Sequence, residues 1–197
     1  MESFPIFINL KEKPVTVIGG GDIALRKVKL LIKADPKITV ISRKICKDLK
    51  ELLIKYDHKI IQKSFHESDL KTPVLIIAAT NNAKTNKQIS TYAQQKSILI
   101  NVVDQPKLST FTMGSIVERD SLVVSISSGG KAPVLVRKIR EKIEILLPQS
   151  YAELVSFSGN LRSIVKKKIQ STIKKRIFWE EFFESDYIQN FILLNMV

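Results

Sequence analysis

Residues 15–27 read Val-Thr-Val-Ile-Gly-Gly-Gly-Asp-Ile-Ala-Leu-Arg-Lys, and this stretch decides the fold. Val15 to Ile18 is a β-branched apolar run, the composition of a buried strand. Gly19, Gly20 and Gly21 follow at once, and Ala24, Val28 and Leu31 then recur at helical spacing. The pattern is G-x-G-x-x-A set between a strand and a helix, the context in which these residue types bind a dinucleotide. Gly19 permits the tight turn, Gly21 lets the backbone approach a pyrophosphate without a Cβ in the way, and Ala24 lets helix and strand pack closely. The helix start at Asp22 and Ile23 turns its free N–H groups toward the anion. Gly19, Gly20, Gly21, Asp22, Ile23 and Ala24 are therefore the expected cofactor-binding turn. The competing reading is a glycine turn in a βα unit of another kind.

The chain on either side extends that unit. Pro5 to Asn9 reads as a strand-like lead-in, and Lys11 to Pro14 as a turn. The first helix runs to about Lys33, where Asp35-Pro36 breaks it, and Ile38 to Ile41 is the second strand. Arg43 and Lys44 stand at its end, where an NAD-binding fold usually carries an acid for the ribose 2′-hydroxyl. Two cations there tolerate a 2′-phosphate, so NAD and NADP both remain open. Lys47 to Tyr56 reads as a short helix and Lys59 to Gln62 as a third strand. Val74 to Ala79 is continuously apolar, the pattern of a parallel strand covered on both faces. It delivers Thr80 and Asn81 to its carboxyl end, where a doubly wound sheet presents its ligand crevice. A helix from Lys84 to Lys96 and a fifth strand from Ile98 to Val103 follow, the latter closing on Asp104-Gln105-Pro106. The expected fold is α/β, a Rossmann-type doubly wound parallel sheet over residues 1–112.

Beyond residue 112 the pattern changes. Gly114 to Glu118 and Leu122 to Ile126 read as a hairpin, followed by the small-residue loop Ser127 to Pro133. An amphipathic helix from Val134 to Leu147 ends at Pro148. A lone hairpin is marginal in water, so residues 113–147 are expected to pair, most simply with a second copy of the chain. Residues 148–197 form a helical C-terminal domain: one long basic helix from Tyr151 to Lys175, then an aromatic-rich segment from Ile177.

Composition narrows the function classes. No apolar run approaches the roughly 18 residues of a membrane span, so no membrane partner is expected. The start of the sequence lacks a basic segment followed by a long apolar one, and the expected compartment is the cytoplasm. Cys46 is the only cysteine, which excludes an internal disulfide and a cysteine-rich metal site. His58 and His66 lie in polar surroundings without partner ligands, so no metal site is expected. Lys and Arg number 32 against 19 Asp and Glu, and the resulting net charge of +13 points to an anionic partner. Much of it sits in Arg162, Lys166, Lys167, Lys168, Lys174, Lys175 and Arg176, with no nucleic-acid motif around it; a solvated helix face is the alternative.

Three stretches taken together, Gly19-Gly-Gly-Asp-Ile-Ala-Leu-Arg-Lys27, Asn101-Val-Val-Asp-Gln-Pro106 and Ser127-Ser-Gly-Gly-Lys-Ala-Pro133, resemble the precorrin-2 dehydrogenase/sirohydrochlorin ferrochelatase family, the N-terminal module of siroheme synthase. The resemblance runs from Pro5 to about Phe183 and includes Ile77-Ala-Ala-Thr80 and Leu147-Pro148. It implies a homodimer that oxidises the acidic tetrapyrrole precorrin-2 with NAD as hydride acceptor, in some members followed by ferrous iron insertion. In that family the aspartate of Asn-Val-Val-Asp is the proposed catalytic residue, and it stands here as Asp104. A carboxylate at the crevice end of a strand can act as general base; an Asp closing a turn before Gln105-Pro106 is the competing reading. Ser127, Ser128 and Gly129 precede a helix start and are candidates to cradle a substrate carboxylate, or form a simple capped loop. A function of another class also fits a Rossmann domain with a basic tail: a dinucleotide sensor that contacts nucleic acid or protein.

Overall fold

In the computed structural model, which describes residues 3–194, the β-branched run becomes β1 (Pro14–Ile18) at the centre of a five-stranded parallel sheet. β2 (Lys37–Ile41) and β3 (Lys59–Ile61) lie on one side of it, and β4 (Leu75–Ala78) and β5 (Leu99–Val102) on the other, in the order β3-β2-β1-β4-β5. Val15 pairs with Ile38 in one direction and Leu75 in the other. Strand order therefore reverses between β1 and β4, and the carboxyl ends of these two strands flank the crevice at which open α/β sheets bind ligands.

Side chains alternate along each strand, so one sheet feeds two cores. Val15, Val17, Val40, Leu75 and Ile77 face α1 (Asp22–Ile32) and α2 (Lys47–Lys55), which bury Ala24, Leu25, Val28 and Leu31 and Leu49 and Leu53. Ile18, Ile41, Ile76, Ala78 and Ile100 face the opposite way, toward Ile89 and Ala93 of α3 (Ala83–Gln95). All four residues of β4 are buried, as its unbroken apolar sequence requires.

The chain divides between Met113 and Gly114 into two compact units. In the second unit β6 (Ser115–Arg119) and β7 (Leu122–Ile126) pair antiparallel, with Val117 opposite Val124. The Arg119 guanidinium donates from Nε to the Leu147 carbonyl at 2.6 Å and from Nη2 to the Glu144 carbonyl at 3.0 Å. It thereby satisfies the C-terminal end of α4 (Pro133–Leu146) and ties that helix to the hairpin. α5 (Ser150–Lys168), α6 (Thr172–Glu184) and α7 (Asp186–Leu194) follow, with Phe157 stacked on Phe182 at 6.1 Å between ring centres. No described helix is long and apolar enough to cross a membrane.

Two local expectations are corrected. Pro5 to Asn9 forms no strand, and Phe4 and Phe7 stand exposed. β1 already has a neighbour on each side, so no edge of it is open to a lead-in strand. The single basic helix over 151–175 is two helices: the chain is extended at Ile169, and the Ser171 hydroxyl caps α6 by accepting the Lys174 N–H.

Candidate functional site

The three glycines have three different reasons to be glycine. Gly19 sits at φ +128, and a Cβ there would lie 2.2 Å from the Ala79 carbonyl oxygen at the end of β4. At Gly20 a Cβ would lie 2.1 Å from the Lys44 carbonyl oxygen, on the loop after β2. That loop is bonded to the turn, since the Cys46 N–H donates to the Gly20 carbonyl at 2.8 Å. A Cβ on Gly21 would meet nothing within 4 Å. The first two glycines thus let the turn pack between β4 and the loop after β2, while Gly21 faces open space at the helix start. The first intrahelical bond of α1 runs from Leu25 to Gly21, and no side chain caps this end. The N–H groups of Asp22, Ile23 and Ala24 precede that bond, which leaves them for an anion. Uncapped donors beside an open position fit a dinucleotide pyrophosphate.

A cavity of about 230 Å³ opens beside this turn, lined by Ile23, by Ala79, Thr80, Asn81, Ala83 and Asn86, and by Val103, Asp104 and Gln105. The expected residues Ile23, Thr80, Asn81 and Asp104 therefore come together around one cavity. Thr80 is held rigidly. Its hydroxyl donates to Asn86 Oδ1 at 2.6 Å, and Asn86 Nδ2 returns a bond to the Thr80 carbonyl at 3.0 Å. Asn82 caps α3 by accepting the Thr85 N–H at 3.0 Å.

Asp104 follows β5 with φ +57, a left-handed conformation that Asp tolerates better than most residues. The segment behind it is folded back on β5 through side chains. The Ser109 hydroxyl accepts the Val102 N–H at 2.9 Å, the Thr110 hydroxyl accepts the Ile100 N–H at 2.9 Å, and Asn101 Nδ2 donates to the Phe111 carbonyl at 3.0 Å. These bonds occupy strand groups that a sixth strand would otherwise use, and they fix where Asp104 stands.

Lys27 lies one helical turn beyond Ile23 on α1 and is half-buried. Burial pushes its ammonium below the ordinary lysine range, the charge of Arg26 adds to that, and the Asp104 carboxylate opposes it.

Arg43 and Lys44 occupy the loop that touches Gly20, both exposed, and the Ser42 hydroxyl donates to the Lys44 carbonyl at 2.8 Å. Ser127, Ser128 and Gly129 lie in the second unit, between β7 and α4. There the Ser127 hydroxyl accepts the Gly129 N–H at 3.2 Å and the Ser128 hydroxyl accepts the Ala132 N–H at 3.0 Å. Sequence reasoning missed Asn86 and Ser109. Asn86 carried a signal, since a polar residue on the buried face of α3, in line with Ile89 and Ala93, needs a partner.

Comparison with known proteins adds three family matches in chain order. Residues 6–115 match a family described as putative NAD(P)-binding. Residues 119–145 match the sirohaem biosynthesis protein central family, and residues 150–191 the sirohaem synthase dimerisation region. That last description falls C-terminal to residues 113–147, where the sequence reading had placed pairing. The siroheme synthase of Ruthia magnifica is 49% identical over 185 residues, covering 93% of this chain and 39% of its own length. That of Methylobacillus flagellatus is 43% identical over 184 residues, again 93% of this chain and 39% of its own length. The chain thus spans about two fifths of the length of these curated relatives. A solved structure titled SirC, precorrin-2 dehydrogenase, superposes with a TM-score of 0.77 at 23% identity, covering 98% of each chain, and shares the fold.

Proposed function

The chain belongs to the putative NAD(P)-binding family in its sirohaem-biosynthesis form, and on that premise we propose that it binds NAD and oxidises precorrin-2 to sirohydrochlorin. The observation that carries this reading is the shared cavity of Thr80, Asn81 and Asp104 beside an uncapped glycine turn. NAD, when bound, supplies the hydride acceptor. The backbone N–H groups of Asp22, Ile23 and Ala24 hold its pyrophosphate, Gly21 leaves room for it, and Arg43 and Lys44 border its ribose end. Thr80 and Asn81 flank it at the carboxyl end of β4.

Removing two hydrogens from the macrocycle sends one away as hydride and leaves one proton to be accepted. Asp104 takes that proton, as a carboxylate held by a fixed loop at the cavity wall. The substrate carries eight carboxylates, so a chain of net charge +13 concentrates it electrostatically. The Ser127 and Ser128 hydroxyls each accept a loop N–H and keep a hydrogen to donate, and with Gly129 they are placed before α4 to receive one of those carboxylates. The working form is a homodimer in the cytoplasm. α4 buries none of its side chains fully within one chain and leaves Val134, Leu135, Ile145 and Leu146 exposed for a second copy.

The test is an anaerobic incubation of the purified chain with precorrin-2 and NAD. NADH and sirohydrochlorin are expected to appear in equal amounts. Ferrous iron added afterwards tests whether the chain also accelerates metal insertion, for which Asp104 would accept pyrrole protons. Folded, NAD-binding protein that forms no NADH sinks the dehydrogenase reading, and a salt-dependent DNA affinity in that protein would favour the sensor.

A further inference from the structure

The loop after β2 is bonded to the glycine turn at both of its ends. The Gly19 N–H donates to the Ile41 carbonyl at 3.0 Å and the Cys46 N–H to the Gly20 carbonyl at 2.8 Å, so residues 42–45 bow out between two bonds to the turn. The Ser42 hydroxyl donates to the Lys44 carbonyl at 2.8 Å and closes the bow. The Ser42 N–H donates to the Ile61 carbonyl at 3.2 Å, which ties the loop to the end of β3 as well. A Cβ on Gly20 would lie 2.1 Å from the Lys44 carbonyl oxygen and 2.9 Å from Ser42 Oγ, so the bow rests on the turn itself. Backbone held this way fixes where the Arg43 and Lys44 side chains begin. Both are exposed, and among the described residues neither has an ion-pair partner. The next cation, Lys47, leans on Glu51 at 3.9 Å. No Asp or Glu occurs in residues 42–47.

The end of the second strand is where a dinucleotide fold meets the adenosine ribose. A carboxylate there bonds the 2′-hydroxyl of NAD and repels the 2′-phosphate of NADP. A guanidinium reverses that choice, because its planar fork matches a phosphate. We propose that the loop from Ser42 to Lys44 is a 2′-phosphate subsite, with Arg43 as the forked ligand and Lys44 as a second point charge, and that this chain binds NADP at least as tightly as NAD. The inference rests on the reading of the glycine turn as the pyrophosphate site and names the form of cofactor that site takes. The 2′-phosphate is remote from the nicotinamide, so NADP serves the proposed oxidation with Thr80, Asn81 and Asp104 in the same roles. Both cations stand in water, and their pull on the phosphate weakens as salt rises.

The test is calorimetric titration of the whole chain with NAD and with NADP at low salt, which needs no turnover. NADP is expected to bind as tightly as NAD or tighter. In Arg43→Ala/Lys44→Ala, NADP affinity is expected to fall about 10- to 100-fold more than NAD affinity. Arg43→Asp is expected to turn the order in favour of NAD. Raising salt from about 0.05 to 0.5 M is expected to weaken NADP more than NAD in the parent, and less so in the double variant. A parent that binds NAD more tightly than NADP overturns the subsite, and so does a double variant that loses both affinities in the same proportion. A parent that binds neither dinucleotide overturns the glycine turn as a pyrophosphate site and the subsite with it. NADP binding that depends on Arg43 and Lys44, in a chain that oxidises no precorrin-2, upholds the subsite and defeats the dehydrogenase reading alone.

Discussion

The Thr80 hydroxyl and the Asn86 side chain form a closed two-bond ring, 2.6 Å from hydroxyl to Oδ1 and 3.0 Å from Nδ2 to the Thr80 carbonyl, that staples the end of β4 to the first turns of α3. Asn86 is 2% exposed, so its amide has no water as an alternative partner, whereas the half-buried Thr80 hydroxyl also reaches the Asn82 carbonyl at 3.3 Å. Asn86→Ala removes both bonds of the ring and leaves the Thr80 carbonyl without its side-chain donor, and is expected to cost about 1–3 kcal/mol, read as a lower urea midpoint. NAD affinity is expected to fall with it, because Thr80 loses its fixed position; unchanged stability and affinity would show the ring to be incidental.

The glycines divide sharply by what their missing side chains avoid. Gly19→Ala drives a methyl group into the Ala79 carbonyl at a backbone conformation that L residues rarely adopt. It is expected to cost about 3 kcal/mol or more and to abolish soluble expression or lower Tm severely. Gly21→Asp meets open space and introduces a good N-cap, so Tm is expected to hold or rise. Its charge stands where a pyrophosphate would lie, and calorimetry is expected to show NAD binding lost. Normal NAD binding in Gly21→Asp would refute the placement of the cofactor.

Asp104→Asn keeps the size and hydrogen-bonding shape of the side chain and removes its capacity to take a proton. Fold and NAD affinity are expected to survive, with kcat lowered about 10²- to 10⁴-fold. An active Asp104→Asn chain would leave Asp104 as a turn residue only.

His58 supplies a pH dependence whose sign can be worked out. Its Nε2 is buried without a hydrogen-bond partner among the described residues, and burial holds the ring below the ordinary histidine value against the opposing charges of Asp57 and Asp35. The unfolded chain therefore binds more protons than the folded one as the pH falls below about 6.5. Stability declines through that window and the decline ends once the folded ring is also protonated. Comparing Tm at about pH 7.5 and 5.5, the parent is expected to lose more than His58→Phe; equal losses would exclude His58 as the source.

Exposed apolar residues on α4 test the proposed dimer. Leu135 and Ile145 are 59% and 72% exposed, and a charge at either costs little within one chain. The parent is expected to run as a dimer in light scattering and Leu135→Glu/Ile145→Glu as a monomer. A monomeric parent would remove the second copy from the reading.

Residues 15–27 and the apolar run at 74–79 were enough to place a parallel sheet, a glycine turn and a crevice, because strand period, helix period and glycine sterics are local properties written residue by residue. The same locality explains the failures. Pro5 to Asn9 has strand composition, but a strand also needs a pairing partner, and which segments pair is decided between stretches distant in sequence, as β1 with β2 and β4. The basic helix over 151–175 breaks at Ile169 because Ser171 finds the Lys174 N–H, a small difference between two locally acceptable paths. Asp104 was legible from its motif, whereas the bonds of Ser109, Thr110 and Asn101 that hold its loop were not, since each joins residues 7 to 10 positions apart through side chains. The sequence by itself determined the sheet, the dinucleotide turn and the candidate base. Only the tertiary structure decided that Asn86 locks Thr80 and that Ser109 and Thr110 hold the loop of Asp104 against β5, because these relationships join separate segments, and the spacing between them is set by how they pack.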